Sequence, residues 1–267
     1  VSELEINKIY CIGNVAGCKS LADNCIDLTV TSPPYDNLRV YAGFEWNFEL
    51  LVKELYRVTK QGGVVVWVTM DSTIDGSETG TSFKQALGFM NTGFRLHDTM
   101  IYLKDSYMPL THNRYEQAFE YMFVFSKGRP KTFNPIMIPC ITAGTTRNRK
   151  SSKAKESEYS ERRRQEITTV NPLKQHPNVF NYDVGKNDRT LHNAPFPEAL
   201  AQDQILSWSN EGDVILDPFM GSGTTAKMAL LNKRKFIGFE VSQEFCDNAR
   251  LRLAGCMTAQ NGNGCSL

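Results

Sequence analysis

The sequence predicts an α/β fold built on a mostly parallel, twisted sheet with an antiparallel edge hairpin, and three observations predict it. Short apolar runs alternate with helical patterns in both halves of the chain, as strand–helix–strand units require. Two β-rich runs, Phe94–Lys104 and Ala118–Ser126, follow one another without a helix between them and can pair as a hairpin. Two unusual turns sit at strand ends: Thr31-Ser32-Pro33-Pro34-Tyr35 after the apolar run 26–30, and Asp217-Pro218-Phe219-Met220-Gly221-Ser222-Gly223-Thr224-Thr225 after Val214-Ile215-Leu216. Open parallel sheets bind ligands outside the carboxyl ends of their strands, so both turns lie where a site belongs.

The individual elements read as follows. Residues 8–12 and 26–31 are strands around a short helix near 15–21. Residues 47–59 form a helix with Phe48, Leu51, Val52, Leu55 and Val58 on one face, and Gln61-Gly62-Gly63 is expected to end it. Val64-Val65-Val66-Trp67-Val68 has the unbroken apolar character of a buried strand. Helix 82–91 gathers Phe83, Ala86, Leu87 and Met90 and stops at Gly93. From about 128 to 190 the periodicity disappears. It resumes with helix 197–209, strand 213–217, helix 223–232, strand 235–240 and helix 242–254, and the Gly/Asn/Cys-rich end reads as a frayed tail. The expected organisation is one half of a core over 1–127, an insert over 128–190, the other half over 191–254 and a tail over 255–267.

Composition narrows the class. A chain of 267 residues fits one large domain or a core with one insertion, and 41% hydrophobic residues can fill its interior. The formal net charge is only +1, so any attraction to nucleic acid must come from local distribution. Residues 141–180 supply such a concentration, with nine Lys/Arg against four Glu, a local charge of +5. No run approaches the roughly 18 apolar residues of a membrane span, and no secretory signal is visible. The seven cysteines, Cys11, Cys18, Cys25, Cys140, Cys246, Cys256 and Cys265, form no C-x-x-C pair. That predicts no metal site, and reduced thiols in a cytosolic protein.

The chemistry of the two turns is distinct. Glycines at 221 and 223 let backbone approach a ligand closely. Their spacing departs from G-x-G-x-x-G, and no phosphate-binding Lys follows, which argues against a nucleoside triphosphate. The next strand, 235–240, ends in Glu240, whose carboxylate can accept both hydroxyls of a ribose or can simply favour a helix start. In the first turn, proline locks the backbone and presents its carbonyl stiffly, beside the Ser32 hydroxyl and the Tyr35 ring. The set suits a flat ring with a polar edge, or only a rigid strand end.

Ser-Pro-Pro-Tyr at 32–35 and Asp-Pro-Phe-x-Gly-x-Gly-Thr-Thr at 217–225 resemble the catalytic and cofactor motifs of the amino-group DNA methyltransferases, over roughly residues 6–254. The order, catalytic motif first, resembles the circularly permuted β-class of that family. The resemblance implies a Rossmann-like fold dependent on S-adenosyl-L-methionine (AdoMet). It places Asp217, Pro218, Phe219, Gly221, Ser222, Gly223 and Thr224 around the methionine part of AdoMet, with Asp217 near its amino group. Glu240 and Val241 fall at the ribose, while Asn193, Phe196 and Pro197 pack over the cofactor. Asn14 falls near the adenine, where many relatives carry Asp, and could equally be a helix N-cap.

On the catalytic side the resemblance makes Ser32 Oγ and the Pro33 carbonyl acceptors for the amino group of a base flipped out of duplex DNA, with Pro34 stiffening the loop and Tyr35 stacking on the base. Asp36, Asn37, Arg39, Tyr41 and Trp46 follow in a loop that can close over the base or be mere surface. Tyr115 or Phe119 is either a second stacking wall or core packing. The insert occupies the place of the family's target-recognition region. Arg147, Arg149, Lys150, Arg162, Arg163 and Arg164 suit phosphate contacts.

Ser in the first motif position resembles the cytosine-N4 branch, with adenine-N6 the alternative. A protein-glutamine methyltransferase carries a related motif after its cofactor loop, so the order and the basic insert count against it. A non-catalytic DNA-binding module would need neither turn. The family further implies a homodimer and a cytoplasmic enzyme of bacterial or phage origin working on the nucleoid, either beside a cognate restriction endonuclease acting on the same site or alone in host or phage regulation.

Overall fold

The computed structural model describes residues 4–34, 46–105, 113–148, 167–183 and 197–261. The chain opens with β1 (Lys8–Cys11), α1 (Asn14–Lys19) and β2 (Ile26–Thr31). There follow α2 (Phe48–Val58), β3 (Thr59–Thr69), the small hairpin β4 (Thr73–Ile74) and β5 (Ser77–Glu78), and α3 (Thr81–Thr92). Next come β6 (Arg95–Lys104) and β7 (Phe119–Ser126), then five short strands: β8 (Met137–Pro139), β9 (Thr146–Asn148), β10 (Ile167–Thr169), β11 (Leu173–Gln175) and β12 (Val179–Tyr182). The described chain closes with α4 (Glu198–Trp208), β13 (Val214–Asp217), α5 (Thr224–Leu231), β14 (Lys235–Glu240) and α6 (Gln243–Asn261).

These elements form two compact units. One combines Val1–Asn134 with Asn178–Leu267, and the other is Pro135–Pro177. In the first, eight strands form one sheet in the order β1-β14-β13-β2-β3-β7-β6-β12. From β1 to β3 all neighbours run parallel, and β7 is antiparallel to both β3 and β6. The predicted parallel sheet and its hairpin are therefore both present. β13 and β2 lie side by side at the centre, and the chain leaves β13 toward β14 but β2 toward β3. The strand order thus reverses between them, the position where such sheets open a crevice.

Local chemistry explains the elements that frame this crevice. α2 starts at Asn47, whose side chain accepts from the Leu50 amide at 2.9 Å, and buries Leu51, Val52, Leu55 and Val58. Residues 64–69 of β3 are buried throughout, as a strand covered on both faces must be. Trp67, Phe89 and Phe125 meet in the core, with Phe89 stacked on Phe125 at 4.2 Å between ring centroids. Asp71, just past β3, accepts from the amide and hydroxyl of Ser82 and so caps α3 from outside the helix.

Three boundaries differ from expectation. The glycine pair does not end α2, because Thr59 already turns extended and Gly62 and Gly63 lie inside β3. Close passage explains them: a Cβ on Gly63 would come within 2.9 Å of the Asp27 carbonyl. The hairpin is not the sheet's edge either, since β12 pairs parallel to β6 outside it. Phe180 and Tyr182 turn inward there while Val179 and Asn181 stay exposed, a period-two pattern only four residues long. Finally, α6 continues past 254 to Asn261, because one glycine costs a helix only about 1 kcal/mol and Met257, Ala259 and Gln260 favour it.

The described residues of the second unit, inside the predicted insert, form two antiparallel pairs, β8 with β11 and β9 with β10. Among the described residues no helix is long and apolar enough to cross a membrane.

Candidate active site

The two motif turns meet at the β13–β2 junction. Ile215 and Leu216 pair with Leu28 and Thr29, which brings the end of β13 beside the end of β2. Thr31 Oγ1 donates to Asp217 Oδ1 at 2.7 Å, and that oxygen also accepts from the Phe219 amide at 3.0 Å. Thr225 Oγ1 closes the junction by donating to the Val30 carbonyl at 3.3 Å. Ser32, Pro33 and Pro34 leave directly from this point, with Pro33 buried and its neighbours partly so.

Asp217 is 1% exposed. Burial pushes its carboxyl up to about 6, although bonds from Thr31, Thr225 and the Phe219 amide favour the charged form; the nearby Glu240 charge pushes further up. A buried carboxylate held near neutrality by its surroundings is a candidate partner for a cation.

Beyond Asp217 the chain makes a turn with Gly221 at φ 50° and Gly223 at φ 83°, both left-handed. Glu240 ends the neighbouring strand and reaches into it. Its Oε2 accepts from the Gly221 amide at 2.9 Å, and its Oε1 accepts from Val241 and Ser242 amides at 2.9 and 3.0 Å. A carboxylate has about four acceptor sites, so three bonds leave capacity for one more donor. Glu240 is thus a helix-start anchor with room left for one hydroxyl rather than two.

Met220 plugs the turn onto β14. A Cβ on Gly238 would stand 2.0 Å from Met220 Cε, so this strand glycine exists to admit the methionine. Gly223 also faces a helix. A Cβ there would come 3.1 Å from Ala249 Cβ on α6, so the glycine is required by helix packing and by its positive φ. Ser222 and Thr224 hydroxyls likewise accept from Arg252 of α6, at 3.2 Å each.

On the β1 side, Asn14 is the first residue of α1 and Gly13 is its N-cap, one place earlier than the N-cap reading had it. Asn14 Oδ1 accepts from the Val15 amide at 2.7 Å. A Cβ on Gly13 would lie 4.0 Å from Val241 Cγ1, so the turn before Asn14 and the turn after Glu240 are neighbours.

On the other side, Trp46 packs edge-on against Phe219 at 4.9 Å between centroids and lies tilted against Trp67 at 6.2 Å. The aromatic of the glycine-rich motif is thus held by the segment that follows Ser-Pro-Pro-Tyr. At the same sheet edge Lys104 pairs with Glu120 at 2.6 Å across the β6–β7 ladder. Tyr115 is wholly exposed, which excludes its core reading, while Phe119 packs edge-on against Tyr121 at 5.3 Å.

Pro197 stands at the N-cap of α4. Tyr35, Asp36, Asn37, Arg39, Tyr41, Asn193 and Phe196 lie outside the described residues, as do Arg149, Lys150, Arg162, Arg163 and Arg164. Arg147 lies in β9. Sequence reasoning missed Thr31, Met220 and Arg252. A glycine inside the strand 235–240 was the available signal for Met220, and none existed for the other two.

The donor set can be tested against a ligand class. Two carboxylates flanking a glycine turn suit a ligand with cationic and hydroxyl groups, and no lysine is placed within the turn for phosphates. AdoMet, with an ammonium, a sulfonium and a ribose, fits that set.

Comparison with known proteins gives the following likenesses. A family model described as DNA methylase, of the N6/N4 type, matches residues 26–251. The orphan methyltransferase M.BamHII of Bacillus amyloliquefaciens is 52% identical over 249 residues, covering 88% of this chain and 91% of that protein. The solved structure of the PvuII DNA methyltransferase, cytosine-N4-specific, has a TM-score of 0.67 at 18% identity, covering 95% of this chain and 90% of that one. The M1.HpyAVI–SAM complex has a TM-score of 0.58 at 23% identity, covering 92% and 98%. At such identities the two structures speak for the fold.

Proposed function

Because the chain belongs to the N6/N4 DNA methylase family, we propose that it methylates the exocyclic amino group of a base in double-stranded DNA, with cytosine N4 as the acceptor. The observation that carries this reading is the Thr31–Asp217 bond, which holds the Ser32-Pro33-Pro34 segment against the glycine-rich turn.

AdoMet is the cofactor, and when bound it supplies a methyl group on a positively charged sulfur. The residues of this chain do the rest. Asp217 and Glu240 hold the cationic and hydroxyl ends of the cofactor, and the turn at Gly221–Thr224 wraps the methionine part. Ser32 Oγ and the Pro33 carbonyl accept hydrogen bonds from the amino group, whose lone pair is otherwise delocalised into the base. Acceptors aimed at both N–H bonds turn the nitrogen toward tetrahedral geometry and stabilise the positive charge that develops on it. Proline stiffness keeps the carbonyl in place without reorganisation.

The basic insert, +5 over residues 141–180, supplies phosphate contacts that set register on the duplex. The 52% identical relative is named an orphan methyltransferase, which supports action without a dedicated endonuclease. A homodimer is the expected assembly, and sedimentation of the purified chain tests it.

Genomic DNA from a methylation-deficient bacterium expressing this chain, digested to nucleosides and read by mass spectrometry, tests the reading. N4-methylcytosine is the expected product. N6-methyladenine would keep the mechanism and move the base, whereas neither product would refute DNA methylation.

A further inference from the structure

The turn at Gly221–Thr224 is gripped by a side chain that the reaction does not use. Arg252 Nη1 donates to the Ser222 carbonyl at 3.1 Å, and to Ser222 Oγ and Thr224 Oγ1 at 3.2 Å. Its Nη2 donates to Glu198 Oε1 at 2.5 Å, and the same oxygen accepts from Lys227 Nζ at 2.5 Å. Glu198 opens α4, Lys227 lies on α5 and Arg252 on α6, so three helices converge on one carboxylate. All three side chains are partly buried, where salt screens less than at an open surface. Burial alone would raise the Glu198 carboxyl, yet the bonds and charges of Lys227 and Arg252 hold it below the usual carboxylate range.

A turn with two left-handed glycines has more conformational freedom to lose than any other, so partners must supply its shape. Arg252 supplies three of its hydrogen bonds from one nitrogen, Nη1, while the other arm of the guanidinium, Nη2, is held by Glu198. The approach that makes this possible is visible one helical turn away, where Ala249 of α6 lies against Gly223. Two residues with little or no side chain let α6 come close enough for the guanidinium to reach Ser222.

We propose that Arg252, oriented by Glu198, is a positioning residue for AdoMet that fixes the Gly221–Thr224 turn in its binding shape before the cofactor arrives. The proposal rests on assigning this turn to the cofactor. Arg252 touches no reacting group, so its loss acts on cofactor affinity rather than on turnover at saturation.

The test uses the full chain and the variants Arg252→Met, Arg252→Lys and Glu198→Gln. The readouts are AdoMet binding by calorimetry, ligand-free melting temperature, and kcat at saturating AdoMet. Arg252→Met weakens AdoMet binding by about tenfold or more, while kcat at saturation stays within about threefold. Arg252→Lys recovers part of the affinity, because an ammonium keeps the charge but has no second nitrogen with which to bond Glu198 and the turn separately. Glu198→Gln weakens binding less than Arg252→Met, since Arg252 keeps its contacts to the turn. Unchanged affinity in Arg252→Met overturns the proposal. So does an affinity loss that only tracks a lower melting temperature and is not relieved by lysine. If Arg252→Met does not fold, Arg252→Lys and Glu198→Gln carry the same comparison. Failure of the unaltered chain to bind AdoMet would instead overturn the cofactor assignment itself.

Discussion

Thr31 Oγ1 and Asp217 Oδ1, 186 positions apart in sequence, share a 2.7 Å hydrogen bond in the interior. Thr31 immediately precedes Ser32, the proposed acceptor, and Asp217 opens the turn proposed to hold the cofactor. One buried bond therefore joins the ends of β2 and β13 where the two motif turns begin.

Thr31→Val keeps the shape and removes that donor. With a buried carboxylate losing a partner, the fold should lose about 1–3 kcal/mol. Chemical denaturation measures the loss, and AdoMet affinity should fall with it. An unchanged unfolding midpoint together with unchanged affinity would show the bond to be dispensable.

Asp217 makes stability depend on pH in an unusual direction. Its folded value, about 6, lies above the ordinary 3.8, so the folded chain holds the proton more tightly than the unfolded one. Stability contributed here is full below about pH 4, falls as pH rises through the window to about 6, and is then flat. Asp217→Asn keeps an oxygen for Thr31 and the Phe219 amide but removes the charge. The ligand-free variant should be more stable at pH 7.5, by about 2 kcal/mol, yet bind AdoMet more weakly. Melting curves with and without AdoMet at pH 5 and 7.5 should show those opposite signs.

Ser32→Ala removes one acceptor from the amino group. Turnover should drop by about a hundredfold or more with AdoMet binding intact. Single-turnover methylation beside calorimetry separates the two, and full turnover would remove Ser32 from the mechanism.

Gly238→Ala sets a methyl 2.0 Å from Met220 Cε, so the buried methionine must turn its chain aside and repack. The expected cost is about 1–3 kcal/mol from overpacking. The double variant with Met220→Ala should recover most of it, which a double-mutant cycle reads directly.

Neutralising Arg162, Arg163 and Arg164 together should weaken DNA binding and reduce the slope of log affinity against log salt by about 2–3. Fluorescence anisotropy across a salt series checks this, and an unchanged slope would make the run a bystander.

The sheet, the core helices and both motif turns were legible because each is a local pattern. Val64–Val68 reads as a buried strand from its own residues, and the glycines of 221 and 223 announce a turn. The Thr31–Asp217 bond was not legible, since register between β2 and β13 is written in neither segment. Arg252 carries no local signal, since its reach depends on the approach of Ala249 to Gly223 from a different helix. β12 escaped because four residues are too few to establish a period. Gln61-Gly62-Gly63 misled because glycine marks a helix stop and a crowded strand equally well.

The strand order also sets a timetable for synthesis. β2 gains β3 early, but its other edge waits for β13, whose partner residue Asp217 emerges 186 positions after Thr31. At typical translation rates of 5–20 residues per second that interval is roughly 10–40 seconds. Throughout it the nascent chain displays an apolar strand edge of the kind that recruits other chains. A chain stopped before β13 keeps that edge of β2 without its native partner.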